Sequence, residues 1–205
     1  LKMPRGTYHV AMVQPKLAHH AKILKIDIEE ALKMPGVAKI ILADDLKAAG
    51  GSNMMAEANF HERSTVRIPS RKILAEDKIF RYGDAVALAV ADTKEHARAA
   101  AAKIKVEIEK LPEYLSFLEA AMPDAMRIHE DTPNIFCKQP VLKGAALEEP
   151  SKVASIIDAA PYSVEGSFYS SREPHLSIEG DAVQAYFDED GFLTFQCKSQ
   201  GVYSS

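Results

Sequence analysis

Arg172, Glu173, His175, Glu179 and Asp181 fall within ten positions of one another, inside the stretch YSSREPHLSIEGDA that runs from Tyr169 to Ala182. Carboxylates and imidazoles move protons, and a guanidinium holds an anion or a carboxylate in place. The stretch lies between two strand-like runs, where connections tend to carry function. Its residue types allow two readings, a solvated polar turn or one wall of a reactive site, and spacing alone favours the turn. A small hydrolase built on Glu173, His175 and Glu179 is the weakest reading, because no nucleophile with an orienting base stands beside them.

Elsewhere the chemistry-bearing residues are scattered. The seven histidines are His9, His19, His20, His61, His96, His129 and His175. His19 and His20 are adjacent, and adjacent side chains on a strand point to opposite faces, so they do not chelate one ion. His96 falls in the first turn of a helix, on an exposed face. Lone histidines of this kind read as solvated or structural. Cys137 and Cys197 are both expected to be buried, inert thiols, since reactivity needs a stabilised thiolate. The acidic run Asp188–Gly191 reads as a hairpin turn, since EF-hand spacing is absent. No phosphate-cradling glycine loop, dinucleotide fingerprint, H-E-x-x-H, C-x-x-C or G-x-S-x-G occurs. Neither a catalytic residue nor a set of metal ligands is therefore assigned within the chain.

The elements that must position these residues follow from apolar periodicity. TYHVAMVQP, AKILKID and VAKIILA read as strands. Between the second and third lies a helix with Ile28, Ala31 and Leu32 on one face, opened by an Asp27-x-x-Glu30 capping box and stopped at Pro35-Gly36. From Lys47 to about Ser70 the pattern dissolves into a long loop. RYGD then turns the chain into AVALAVA, an unbroken apolar run typical of a strand covered on both faces. A second capping box, Asp92-x-x-Glu95, opens a helix over 93–104 whose buried stripe is Ala97, Ala100, Ala101 and Ile104. KVEIEKLP follows as a strand, and the three elements read as a βαβ unit with a right-handed crossover. Further on, SFLEAAM is a short helix, and Ser151 caps another that carries Val153, Ile156, Ile157 and Ala160. AVQAYFDEDGFLTFQ is a β-hairpin. The fold class is α+β, with a domain boundary near residues 125–145 that divides the chain into 1–125 and 126–205.

Composition narrows the function classes. The 205 residues are 47% hydrophobic and 26% charged, as in an ordinary folded protein. A net charge of −4 and a pI near 6.0 give no basic footprint for nucleic acid. No apolar run is long enough to span a membrane. Two cysteines make neither a disulfide framework nor a zinc finger, and a reducing cytoplasmic setting is expected. The opening LKMPRGTYHV lacks an initiator methionine and signal-peptide order, and FQCKSQGVYSS stops after a strand-like run. Both ends look cut, so a piece of a longer polypeptide is expected.

Taken together, TYHVAMVQPKLAHHAKILKIDIEEALKMPGVAKII and RKILAEDKIFRYGDAVALAVADTKEHARAAAAKIKVEIEKLP closely resemble the hammerhead domain of the molybdenum hydroxylases, the xanthine oxidase and aldehyde oxidoreductase superfamily. SVEGSFYSSREPHLSIEGDAVQAYFDEDG resembles the opening of the molybdopterin-binding region that follows. The similarity covers nearly the whole chain and is greatest, through LKMP, GTYH and MVQPK, to bacterial aldehyde oxidoreductases without flavin.

The resemblance implies a hammerhead-type α/β domain over 1–125, then a linker and the truncated start of the molybdopterin-binding domain over 126–205. It implies oxidation of aldehydes to carboxylic acids with water as oxygen source, in an intact homodimeric parent. The parent carries molybdopterin, in its cytosine dinucleotide form, with molybdenum and [2Fe–2S] clusters. In the family the segment matching REPHLSIE lies beside the molybdenum. That places Glu173, His175 and Arg172 near the cofactor, with Glu173 standing where the family has a glutamine. A carboxylate would repel an electron-rich oxo group unless protonated or paired, and Arg172 is a candidate partner. The pterin-clamping loop and the base glutamate are expected beyond Ser205. The chain alone is therefore expected to bind no cofactor and to be inactive, with the remaining domains of the parent as its partners. The competing expectation, from a different class, is a free-standing hammerhead-like adaptor that binds through its Lys47–Ser70 loop.

Overall fold

The computed structural model describes residues 3–55, 69–136, 143, 149, 151–171, 173, 174, 176, 178 and 180–198. Two compact units divide the chain, Arg5–Lys138, and Gln139–Ser205 with Leu1–Pro4. Residues 126–136, beyond the last strand of the first unit, thus belong to that unit.

The first unit contains β1 (His9–Val13), β2 (Ala21–Asp27), α1 (Glu29–Leu32), β3 (Val37–Ile41), α2 (Ala43–Ala48), β4 (Lys78–Ile79), β5 (Ala87–Ala91), α3 (Lys94–Lys103), β6 (Lys105–Lys110) and α4 (Phe117–Ala120). Its strands form two antiparallel sheets, ordered β1–β5–β3 and β4–β2–β6. β5 turns Ala87, Ala89 and Ala91 toward the core, and α3 contributes Ala97 and Ala100. Such short side chains let the helix lie close to the sheet. Val13, Ala31, Ile40, Ala75, Val86 and Ile104 join Ala87, Ala89 and Ala100 in one core cluster, and Ile23 and Ile26 of β2 and Val106 of β6 pack on it. Each Val or Ile fully buried there contributes about 1.5–3 kcal/mol.

Several local expectations are corrected. The Lys94–Lys103 helix has the expected alanine stripe, but its cap is Thr93, whose hydroxyl accepts from His96 N–H at 3.1 Å. Asp27 accepts from Glu29 N–H, while Glu30 joins Lys103 at 2.7 Å instead of reaching back. The helix it opens is a single turn, and Leu32 is exposed. Strand, helix and strand over 87–110 do not make a parallel βαβ unit. Both edges of β5 are taken by β1 and β3, so β6 pairs antiparallel with β2 in the other sheet. β5 is fully covered only on its α3 side, since Leu88 and Val90 are half-buried.

Of the expected Lys47–Ser70 loop, residues 56–68 lie outside the described residues, and its described ends carry local structure. α2 occupies Ala43–Ala48, with Asp45 accepting from Leu42 N–H at 2.8 Å. Met55 N–H donates to the Arg71 carbonyl and Ile73 N–H to that of Asn53, closing the base of the loop. His19 and His20 lie between strands, on neither.

The second unit holds α5 (Lys152–Asp158) and the hairpin β7 (Val183–Phe187) and β8 (Leu193–Cys197). Ser151 stands at the α5 N-cap, yet its hydroxyl donates to Glu149 and makes no cap bond. The hairpin appears where the alternation puts it, with Val183 opposite Cys197 and Phe187 opposite Leu193. Asp188 shapes the turn by accepting from Phe192 N–H at 2.8 Å and Thr194 Oγ1 at 3.0 Å. Those bonds, the Phe192 amide first, hold its carboxyl below the usual range. Val183, Ala185, Phe187, Leu193 and Phe195 make one apolar face, which is exposed. Cys197, expected to be buried, is exposed on the same face, and Cys137 lies outside the described residues.

Candidate functional site

The charged stretch leads into β7. Glu173 and Asp181 are both solvent-exposed, whereas Arg172, His175 and Glu179 lie outside the described residues. Around Glu173 the apolar side chains Phe168, Tyr169, Leu176 and Ile178 are all more than four-fifths exposed. A dry, preformed cradle would need such groups buried beneath the polar ones. Leu176 adopts a left-handed backbone conformation with φ 45°, which costs an L-residue roughly 1–2 kcal/mol.

The first unit holds three polar constellations that spacing did not reveal. One is a cavity of about 480 Å³ lined by Arg71, Lys78, Phe80, Arg81, Tyr82 and His129 among others. The His129 ring stacks on Phe80 at 4.4 Å with an interplanar angle of 3°. The Lys78 ammonium lies 5.2 Å from the Phe80 ring centre and donates to the Ile128 carbonyl at 2.8 Å. The floor is shaped by the Arg81–Asp84 turn, in which Asp84 accepts from Phe80 N–H and Arg81 N–H and Gly83 takes φ 92°. Burial pushes the His129 imidazole below its ordinary value. The hollow offers ring faces and the cations Arg71, Lys78 and Arg81 beside the Asp84 carboxylate. RYGD was legible only as a turn, because the rings and cations that join it come from distant positions.

The second constellation is His20, which is buried with Nδ1 at 2.7 Å from the Pro112 carbonyl oxygen. The third is a carboxylate–imidazole pair, Asp92 Oδ1 to His96 Nδ1 at 2.6 Å. Hydrolases orient a base with such a pair, but here no hydroxyl or thiol nucleophile is held by the ring among the described residues. The pair instead locks the first turn of α3, and the His96 bond draws the Asp92 carboxyl below its usual range. Among the described residues no three histidine, cysteine or acidic side chains converge as metal ligands.

Residues 1–112 match the family model described as aldehyde oxidase and xanthine dehydrogenase, a/b hammerhead domain. The chain is 43% identical over 203 residues to the aldehyde oxidoreductase of Megalodesulfovibrio gigas, covering 99% of this chain and 21% of that protein. It is 29% identical over 184 residues to the nicotinate dehydrogenase large molybdopterin subunit of Eubacterium barkeri, covering 90% of this chain and 39% of the relative. The solved aldehyde oxidoreductase from Desulfovibrio gigas superposes with a TM-score of 0.84 at 43% identity, over 98% of this chain and 21% of the other. The Desulfovibrio desulfuricans enzyme gives a TM-score of 0.80 at 41% identity, over 96% and 21%. The chain thus spans about a fifth of the length of these aldehyde oxidoreductases.

Proposed function

The chain belongs to the aldehyde oxidase and xanthine dehydrogenase hammerhead family, and from that premise we propose that it forms the hammerhead scaffold, and the opening of the next domain, of a molybdenum-dependent aldehyde oxidoreductase. The parent oxidises aldehydes to carboxylic acids with water as oxygen source. One observation carries this reading: likeness to the Desulfovibrio gigas enzyme extends over 98% of the chain, well past residue 112 where the family model ends. The uncovered apolar face of the β7–β8 hairpin supports it, because a face of that kind ordinarily packs against a further layer.

The remaining domains of the longer polypeptide are the partners. They bring the molybdenum with its molybdopterin, in the cytosine dinucleotide form, and the [2Fe–2S] clusters, within a cytoplasmic homodimer. No helix among the described residues is long and apolar enough to cross a membrane. Arg172, Glu173 and His175 form one flank of the cofactor site. The described residues do not by themselves fit such a group, since Glu173 stands in solvent and no ligand cluster faces it. This chain's share is therefore scaffold and flank, and no chemical step is assigned to it.

The test is to isolate the native polypeptide that carries this sequence and follow aldehyde oxidation in ¹⁸O-labelled water. A molybdenum-containing polypeptide much larger than 22.5 kDa that places solvent oxygen in the acid supports the proposal. A native polypeptide of this length that carries no molybdenum and oxidises no aldehyde overturns it and leaves a binding module in its place.

A further inference from the structure

His20 ties the entry of β2 to the segment that leaves β6, and among the described residues one of its two ring nitrogens has no partner. Nδ1 lies 2.7 Å from the Pro112 carbonyl oxygen. A carbonyl only accepts, so Nδ1 carries the hydrogen and Nε2 keeps the lone pair. Nε2 is buried without a hydrogen-bond partner among the described residues, on a side chain only 4% exposed. Two more bonds close the same junction: Leu111 N–H donates to the His20 carbonyl at 3.0 Å, and His19 N–H to Glu113 Oε1 at 2.9 Å.

Beyond Pro112 the chain folds back on the unit. Met126 N–H donates to the Tyr114 hydroxyl at 2.7 Å, and Asn134 bridges the Ala120 and Met126 carbonyls and Ile128 N–H. Lys78 of β4 holds the Ile128 carbonyl, and His129 lies on Phe80. The charged and titratable groups that act on His20 are Lys78 of β4, Glu113 after β6, and His129. Two imidazoles and one ammonium therefore share the seam.

We propose that His20 is an acid-sensitive latch: neutral, it pins the Pro112–Phe136 segment to the β4–β2–β6 sheet, and protonated, it releases that segment. A proton on Nε2 creates a buried cation whose new N–H has no acceptor among the described residues, in the field of the Lys78 ammonium. An unpaired buried charge is strongly disfavoured. The Glu113 carboxylate opposes this only weakly, being already engaged by His19 N–H. Burial first, and Lys78 after it, hold the imidazole below 6.5, with the Pro112 bond and Glu113 acting against them. Once released, the ring takes a proton more readily than in place. The latch is thus closed above pH 6.5 and weakens as the pH falls below it.

The experiment follows the His20 ring by NMR from about pH 7.5 to about pH 5.5 while amide exchange is measured at Leu111, Met126 and Ile128, corrected for intrinsic rates. Protection of those amides should fall severalfold on acidification, with its midpoint on the ring's own titration below pH 6.5. His20→Gln retains an N–H for Pro112 and cannot titrate, so its protection should be independent of pH, whereas His129→Gln should keep the fall. A ring that charges at or above pH 6.5, or a loss of protection away from its titration, overturns the latch. So does a fall that persists in His20→Gln or vanishes in His129→Gln. The ring titration decides the matter even where a variant does not fold.

Discussion

His96 and Gly36 meet across the α1–β3 turn: a Cβ placed on Gly36 would collide with His96 Nδ1 and with the Asp92 carboxylate bound to it. Gly36 also sits at φ 74° and accepts Asp92 N–H at 2.9 Å through its carbonyl. Gly36→Ala is expected to lower stability by about 2–4 kcal/mol, part from the left-handed backbone and part from displacing the pair. Urea denaturation measures the loss. Asp92→Ala in the same background should recover only the carboxylate's share of the collision, which a double-mutant cycle separates from the rest.

Asn53 is the buried anchor of the long loop. Its Nδ2 donates to the Leu74 carbonyl at 2.8 Å, and its Oδ1 accepts Leu74 N–H at 2.9 Å. Asn53→Ala leaves both backbone groups buried without partners, at about 1–3 kcal/mol for each unsatisfied group. A total loss of about 2–4 kcal/mol is expected, together with faster amide exchange at Ile73 and Met55, whose bonds close the loop base. Unchanged exchange there would show that the base is held by something other than Asn53.

Glu76 bridges Lys47 and Lys72, tying α2 to the strand-poor stretch before β4. The Lys47 bond first, then Lys72, draws its carboxyl below 4.5. A lowered carboxylate pKa gives stability that is present above the unfolded value and is lost as the pH falls through the folded one. Glu76→Gln should therefore cost about 0.2–1 kcal/mol at neutral pH, less in high salt. The difference should shrink as the pH falls below 4.5 and vanish once the folded carboxyl itself is protonated, which stability curves at several pH values will read directly.

Alternation and helical spacing made the strands and α3 legible, because each reports only on its own segment. Sheet membership was not, because it depends on which neighbours take each strand's edges. β1 and β3 flank β5, and that alone sends β6 to β2. α2 escaped notice because ADDLKA begins one residue after β3 and carries no apolar stripe. The family was legible from the order of its segments, and the family model bears that out. The polar constellations were not, since Phe80 meets His129, and His20 meets Pro112, only after the sheets have formed. Of the charged stretch, the sequence marked the place, while burial decides its chemistry, and Glu173 is exposed.

Phe195 offers the sharpest separation between the chain alone and the longer polypeptide proposed for it. It sits 64% exposed on the apolar hairpin face, opposite Ala185 and beside Phe187 and Leu193. In the 205-residue chain Phe195→Ser removes surface that already faces water, so stability should change by less than about 0.5 kcal/mol. Binding of an apolar dye and self-association should both fall. If the proposed longer polypeptide covers this face with a further layer, the substitution there should cost about 3–5 kcal/mol, as for a large aromatic lost from a core. Thermal or urea unfolding of the two forms gives the comparison. Equal, small effects in both would mean that the face stays open in the parent, and its apolar residues would then belong to a surface that binds another molecule.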